Sequence, residues 1–553
     1  MAPSVIPILL LFLTFSSAAP TANWWDPPSR PTPDSFINVT GPPFLNSNQA
    51  ASPIKGFIDA HNHPTSSWAF GGRLLCGQPF STSGGISTAL KDCPEHYPNG
   101  SLALFDFLTK GGDGIHDPVG WPTFASWPAY DSQTHQQNYY AWIERSWRAG
   151  LRVMVANLVA NGVICSIYPF KDPAVGPGCN EMSSIRYQAS KIYEMEAYID
   201  GIFGGTGKGF FRIVKSATQA KDIIAQGKLA VVLGVEMSEP FGCKQFLDLP
   251  QCSTSQIDKG LDELYGLGVR SMFLCHKFDN ALCGVRFDEG TTGAAINAGQ
   301  FLSTGTFWTT EKCTGAQADN PISPVSAQQK QELVAKLGLP KGVKMPDYTT
   351  AAVEGSPQCN VRGLTTLGEY ALRGMIKRKM MVEIDHMSVK ATGRVLDILQ
   401  AEKYPGVISS HSWMDLEWTG RLYQLGGFIA QYMHGSEDFI AEAAKTAELR
   451  AQYDVGYGFG TDMNGLGSWP APRNSSPVVT YPFTSVDGGS TIDRVTTGQK
   501  TWDFPTDGAA HYGLVPDWIE DIRVVGGQSV VDELFRGADS YLKTWGASEN
   551  HLP

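Results

Sequence analysis

A short apolar run ends in a pair of histidines: Gly56-Phe57-Ile58-Asp59-Ala60-His61-Asn62-His63. In a strand, residues i and i+2 share a face, so both imidazoles can reach one divalent ion, for which neutral imidazole is the commonest protein ligand. His-x-His alone is a weak signal, and its meaning depends on partners. Five further apolar runs end in a residue that can bind metal or move protons: Glu236, His276, His386, His411 and Asp462. Polar tips on strands of one barrel converge on its axis, so His61, His63, Glu236, His386, His411 and Asp462 can meet in space. Four imidazoles and two carboxylates exceed what one four-coordinate ion needs and suit two ions bridged by a carboxylate. Such a pair lowers the pKa of a shared water from about 15.7 towards 7 and polarises a scissile carbonyl. Attack by metal-bound hydroxide then needs a proton carrier, the role that falls to Asp462. His276, not required as a ligand, is free to donate a hydrogen bond to the tetrahedral oxyanion, a contact worth about 3 kcal/mol.

The elements that would carry these residues are legible as eight continuous apolar runs: Gly56 to His61, Leu151 to Leu158, Leu229 to Glu236, Val269 to His276, Met380 to His386, Gly406 to His411, Gly426 to Ala430 and Val455 to Asp462. Continuous apolar character predicts strands covered on both faces, as in a parallel sheet. Helical patterns fall between several of them, at Glu181 to Ile199, Ser216 to Gln226, Ser255 to Gly266, Leu364 to Arg378, Ser388 to Ala401 and Glu437 to Asp454. Ser388 supplies a capping residue and Pro405 a stop. Eight strand-helix units predict an α/β fold, a (β/α)8 TIM barrel, over residues 54–553. Two spacings are too long for simple units, so residues 64–150 and 277–362 read as insertions at the C-terminal face of the strands, where barrel sites form. The aromatics of the first, Trp121, Trp127, Tyr139, Tyr140, Trp142 and Trp147, read as a packed subdomain rather than a substrate cage.

The 553 residues carry a formal charge of −11 and no long run of like charges, which gives no footprint for nucleic acid or an anionic membrane and points to a small-molecule substrate. Residues 1–19 have an apolar stretch followed by Ser16, Ser17, Ala18 and Ala19, the pattern of a secretory signal peptide, and no later segment has the apolar length of a transmembrane span. Residues 20–53 read as an extended Pro-rich lead-in that need not fold. Ten cysteines in a secreted chain favour disulfides, with Cys165–Cys179, Cys243–Cys252 and Cys76–Cys93 as candidate staples. Sequons at Asn38, Asn99 and Asn474 suit a glycoprotein on that route. Gly204 to Gly209 lacks the P-loop pattern, and no Gly-x-Ser-x-Gly elbow exists. His96, His116, His135, His434 and His511 follow no strand and read as loop or surface residues, with His116 or His135 able to reach the pocket from the first insertion.

The segments Val231-Val232-Leu233-Gly234-Val235-Glu236, Tyr265-Gly266-Leu267-Gly268-Val269-Arg270 with His276, Ile384-Asp385-His386-Met387-Ser388, Ser409-Ser410-His411-Ser412 and Gly458-Phe459-Gly460-Thr461-Asp462 resemble those of the membrane (renal) dipeptidases of the amidohydrolase superfamily. Leu514 to Trp545, with Asp517-Trp518-Ile519, resembles the helical end of that fold. Where the dipeptidases carry His-x-Asp, this chain has His61-Asn62-His63, a pattern seen more widely among amidohydrolases. The resemblance implies a hydrolase with two Zn2+ per chain. His61 and His63 would hold one zinc with Asp462, Glu236 would bridge, His386 and His411 would hold the other, and His276 would face the substrate. In that family an arginine about eleven residues after the second zinc histidine grips the substrate carboxylate; the candidate here is Arg421, ten residues after His411 in different surroundings. A dipeptide-like amide is then the expected substrate. The same chemistry also serves a lactonase, an esterase or an N-acyl hydrolase, and a binding protein with a merely structural metal is the non-enzymatic alternative. Nothing in the sequence fixes the oligomeric state.

Overall fold

A computed structural model describes residues 23–43, 53–103, 106, 114–172, 178–322, 326–348 and 357–552; the signal-like segment 1–19 lies outside them. Eight parallel strands close into the barrel that the apolar runs predict. They are β1 (Phe57–Asn62), β2 (Leu151–Ala160), β3 (Leu229–Met237), β4 (Val269–Phe273), β5 (Met381–Glu383), β6 (Val407–Ser409), β7 (Phe428–Tyr432) and β8 (Gly458–Gly460). Neighbours in sequence are neighbours in the sheet, and Phe459 of β8 lies opposite Asp59 of β1 to complete the ring. Every residue of β1, β2 and β3 is buried, as strands sandwiched between a filled barrel and its outer helices require.

A ninth parallel strand, Phe211–Val214, was not legible in the sequence. It pairs with Leu229 to Val232 of β3, and β4 takes over from Leu233, so the two share one edge of β3 while β2 runs along the other. Four residues containing Arg212 are too short and too mixed to register as an apolar run.

The outer helices start where their caps dictate. The Ser388 hydroxyl accepts from the Ala391 amide at the head of the helix Val389–Glu402. The helix Thr254–Leu267 opens on a Ser253/Gln256 capping box and closes on left-handed Gly268. The single helix expected over Glu437 to Asp454 is two, Ser436–Lys445 and Ala447–Tyr453, broken at Thr446, whose φ and ψ of −108° and 2° leave the helical basin.

The barrel interior is divided along its axis. At one end Ile58, Val153, Val155, Ala230, Val232 and Met381 form an apolar layer, sealed by Tyr541, Leu542 and Trp545 of the C-terminal helix Gly537–Glu549. The polar strand tips occupy the other end. Part of the lead-in is built into the fold: Ser35–Phe36 pairs with Thr496–Thr497 and Val39–Thr40 with Thr491–Ile492. Buried Arg145, in the helix Tyr140–Arg148 of the first insertion, fastens this seam by donating to the Ile37 carbonyl and to Asp517. Trp127, Tyr139, Tyr140, Trp142 and Trp147 are fully buried, as a packed subdomain requires. All ten cysteines are paired, as Cys76–Cys93, Cys165–Cys179, Cys243–Cys252, Cys275–Cys283 and Cys313–Cys359. The first three are the pairs that short spacing suggests.

Candidate metal centre

β1 does not deliver His61 and His63 by simple alternation. Its register with β2 shifts between Asp59 and Asn62, and the Asp59 carboxylate accepts from the His61 amide at 3.1 Å, which marks a bulge that re-aims the tip. The two rings stand edge to face, with Nε2 atoms 3.0 Å apart. His63 Nδ1 donates to the Asn157 carbonyl at 2.9 Å. His61 Nδ1 lies 2.9 Å from the Ser410 hydroxyl, which in turn bonds buried Glu383. With its Nδ1 proton donated outward, His63 turns its Nε2 lone pair inward, and the Nε2 atom of His61, whose Nδ1 meets Ser410 and Asn157, points to the same place. They meet Asp462 Oδ1, 3.0 Å from His63 and 3.6 Å from His61, and Glu236 Oε2, 3.4 and 3.5 Å away.

Glu236, at the tip of β3, sends its other oxygen the opposite way. Oε1 lies 3.3 Å from His276 Nε2 and 3.4 Å from His386 Nε2, and His386 Nε2 lies 2.9 Å from His411 Nε2. His411 is oriented by Asp385, whose Oδ2 is 3.2 Å from its Nδ1 and accepts the amides of Ser410 and His411, while the Ser409 hydroxyl bonds the second oxygen. A carboxylate behind the imidazole is the arrangement that leaves Nε2 bare for a metal. Small residues let these tips crowd together: a Cβ on Gly460 would stand 2.9 Å from His411 Cβ and 3.0 Å from His61 Cβ.

Two residues of the cluster hold left-handed backbone that side chains disfavour, His386 at φ 64° and Asp462 at φ 49°. Such conformations persist only where the surroundings impose them, and they gather at functional sites. The Asp462 amide is held by the His61 carbonyl at 2.7 Å, and that of His386 by the Trp413 carbonyl at 3.2 Å.

Carboxylates and imidazoles set one another's charge across the cluster. Burial pushes the Glu236 carboxyl up, but His276, His63, His411 and Lys277 outweigh it and hold the group below the usual carboxylate range. Asp462 is likewise held down, against burial, by His63, His61 and His411. Burial drives His61 and His386 well below an ordinary histidine and takes His276 to about 3. His63 and His411 move up because their carboxylate partners outweigh burial. Converging imidazole nitrogens and carboxylate oxygens, with Glu236 Oε1 buried and without a hydrogen-bond partner among the described residues, form a donor set that fits divalent cations. Two such groups share Glu236: His61, His63, Glu236 and Asp462 on one side, and Glu236, His276 and His386 on the other.

Its structural neighbours are metallopeptidases and amidohydrolases. One is a metallo peptidase from Rhodobacter sphaeroides liganded with a phosphinate mimic of the dipeptide L-Ala-D-Ala, 11% identical at a TM-score of 0.43, covering 90% of this chain and 99% of that chain. A dipeptidase of metallopeptidase family M19 is 12% identical at a TM-score of 0.40, covering 74% and 90% of the two chains. An amidohydrolase from Pseudomonas aeruginosa is 12% identical at 0.38, covering 72% and 90%. No protein-family model and no curated protein matches the chain. Likenesses this loose carry no functional inference, which rests on the centre itself.

Of the residues singled out by sequence, His61, His63, Glu236, His276, His386, His411 and Asp462 are brought together and Arg421 is not. Arg421 sits on the short outer helix Thr419–Leu425, pairs with Asp397 at 2.7 Å and lies over the Trp418 ring. Its spacing from His411 is about one residue short of what the resemblance implies, and a helix turned to the outside of the barrel carries the guanidinium away. His116 and His135 gather with His96 in the first insertion instead of at the strand tips. Asp385, Asn157 and Ser410, which set the tautomers and ring orientations, carried no spacing signal. Asp385, two residues beyond Glu383 and beside His386, was the one readable by strand alternation.

Proposed function

We propose that the chain is a secreted hydrolase that uses two zinc ions to cleave the amide bond of a dipeptide-like substrate. The observation that carries this reading is the division of Glu236, with Oε2 turned to His61 and His63 and Oε1 to His276 and His386. A carboxylate so divided suits a bridge, with His61, His63 and Asp462 holding one ion and His386 and His411 the other. Zinc bound there would supply Lewis acidity towards the carbonyl and an acidified water.

The chain's own residues then divide the remaining work. Most of the cluster is 4% exposed or less at the side chain, but Asp462 keeps 16% and His276 11%, so these two face the approach of a substrate. Asp462, ionised and facing that opening, takes the proton of the attacking water and hands it to the leaving amine. The partly exposed His276 ring would donate a hydrogen bond to the developing oxyanion. In place of Arg421, Lys277 is the cation suited to a substrate carboxylate: its charge acts on Glu236, His276 and His386, and it reaches Asp288 at 2.9 Å beside the Trp413 ring. Five disulfides and the exposure of Asn38, Asn99 and Asn474 support an extracellular protein, and no described helix is long and apolar enough to cross a membrane.

The test is a hydrolysis panel of dipeptides, N-acyl amino acids and lactones with zinc-loaded protein, run beside Glu236→Gln. Dipeptide turnover that falls at least about 10²-fold in the variant is the expected outcome. Turnover of lactones alone would overturn the amide assignment, and full dipeptide turnover in the variant would overturn the bridge.

A further inference from the structure

The first insertion gathers a second set of imidazoles that the proposed chemistry does not use. His135 Nε2 lies 3.2 Å from His116 Nε2 and 3.3 Å from His96 Nδ1. His135 Nδ1 contacts the Ser132 hydroxyl at 2.5 Å, and that hydroxyl donates to Asp106 Oδ2 at 3.2 Å. His116 Nδ1 donates to the Gly114 carbonyl at 2.7 Å. Both Nδ1 protons are therefore directed outward, and the bare Nε2 lone pairs of His116 and His135 face each other. Two lone pairs at van der Waals distance repel unless a cation lies between them. A carboxylate or carbonyl behind each imidazole is the support a metal ligand receives.

The surroundings are rigid. The Cys76–Cys93 disulfide holds the backbone of two of the three histidines: the His96 amide donates to Cys93, and Cys76 bridges the strand-like segment at His135. Trp127 stacks on His135 with ring centroids 4.7 Å apart. His96 is fully buried, and its Nε2 has no hydrogen-bond partner among the described residues. Cys93 falls within the same cluster, but its sulfur is committed to the disulfide, and Asp106 stands behind His135, with Oδ2 3.7 Å from His135 Nδ1 and Oδ1 accepting the Gln133 amide at 2.7 Å, so the three imidazoles are the donors. Half-buried His116 leaves a way in from solvent.

We propose that His96, His116 and His135, the last oriented by Ser132 and Asp106, bind a third transition-metal ion of the zinc class, separate from the barrel centre. Three imidazoles are a borderline-soft donor set that zinc accepts, with water as the fourth ligand, and that calcium and magnesium do not favour. The ion is structural: it stiffens the segment that continues into Gln136, Gln137 and Asn138. Gln136 Nε2 donates to Ser67, the Gln137 backbone amide donates to Asn464 Oδ1, and Asn138 Nδ2 donates to the Met463 carbonyl, so the loops beside His63 and Asp462 rest on it.

The test is a metal count, independent of whether the barrel centre is catalytic. Zinc-reconstituted wild-type protein is compared by elemental analysis with His96→Ala/His116→Ala and with His61→Ala/His63→Ala. The first double variant is expected to lose one zinc per chain and to melt at a lower temperature, while the second retains the ion of the insertion. In parallel, diffraction data from zinc-soaked wild-type crystals on either side of the zinc absorption edge are expected to place an anomalous peak among His96, His116 and His135. An unchanged zinc count in a folded His96→Ala/His116→Ala protein overturns the proposal. Should that variant fail to fold, absence of the anomalous peak overturns it.

Discussion

Gly465 has a side-chain hydrogen where any other residue would displace the centre. A Cβ there would lie 2.6 Å from Asp462 Cγ and 2.8 Å from His63 Cδ2, against an ordinary carbon-carbon contact of about 3.5–4.0 Å. In Gly465→Ala the carboxyl group must retreat by about 1 Å, taking it out of line with His63 and Glu236. A misplacement of that size costs about 10²-fold in rate, or about 2.7 kcal/mol of transition-state stabilisation at 1.36 kcal/mol per decade. Displacing a ligand should also weaken the ion held by His61 and His63, by about 10- to 100-fold. The assay is kcat on the best substrate of the hydrolysis panel, with zinc affinity measured by chelator competition and the fold checked by circular dichroism. Gly420→Ala is the control, since a Cβ at Gly420 meets nothing within 4 Å and it sits in an outer helix. If Gly465→Ala matches wild type in kcat and in zinc affinity, then the position of Asp462 does not matter to the centre, and the two-ion reading loses one of its ligands.

Asp462→Asn keeps the shape of the carboxylate but cannot take a proton, so turnover should fall by about 10²- to 10⁴-fold, with zinc content assayed on the same sample to separate proton transfer from metal loss. Arg421→Ala should leave kcat/KM unchanged and shift stability by no more than about 1 kcal/mol, as measured by urea unfolding, because the side chain makes surface contacts, an exposed ion pair with Asp397 and a place over the Trp418 ring. Replacing both Cys275 and Cys283 by Ser should cost about 2.5 kcal/mol, from a bridge that closes a separation of 8 residues beside His276, and should lower both Tm and kcat; an unchanged kcat would detach the bridge from the site.

What the sequence revealed and what it concealed follow from the range of the forces involved. A strand buried on both faces must be apolar throughout, so a histidine or carboxylate at its tip stands out, and all seven strand-tip residues could be named without coordinates. Chain features set by three-dimensional turning were silent. The left-handed backbone at His386 and Asp462 is imposed by the neighbours that hold their amides, which no local pattern encodes. Arg421 lies near the expected spacing but on the outer face of its unit. His96, His116 and His135 are separated by irregular loop, where no period of 2 or 3.6 predicts a common destination; only the disulfide and the bridge at Cys76 unite them.

The seam between the two ends of the chain sets an order of events during synthesis. Phe459 must arrive before it can dock beside Asp59, and Thr496 before it can pair with Phe36. A nascent chain halted at residue 450 would carry His61, His63, Glu236, His386 and His411 but neither the closing strand nor Asp462. Contacts spanning more than 400 residues are late and slow to form. Capture of metal at full affinity is thereby deferred until the polypeptide is nearly complete, so zinc uptake during refolding should lag behind the return of helical signal, and a compartment that supplies the ion need supply it only to finished molecules.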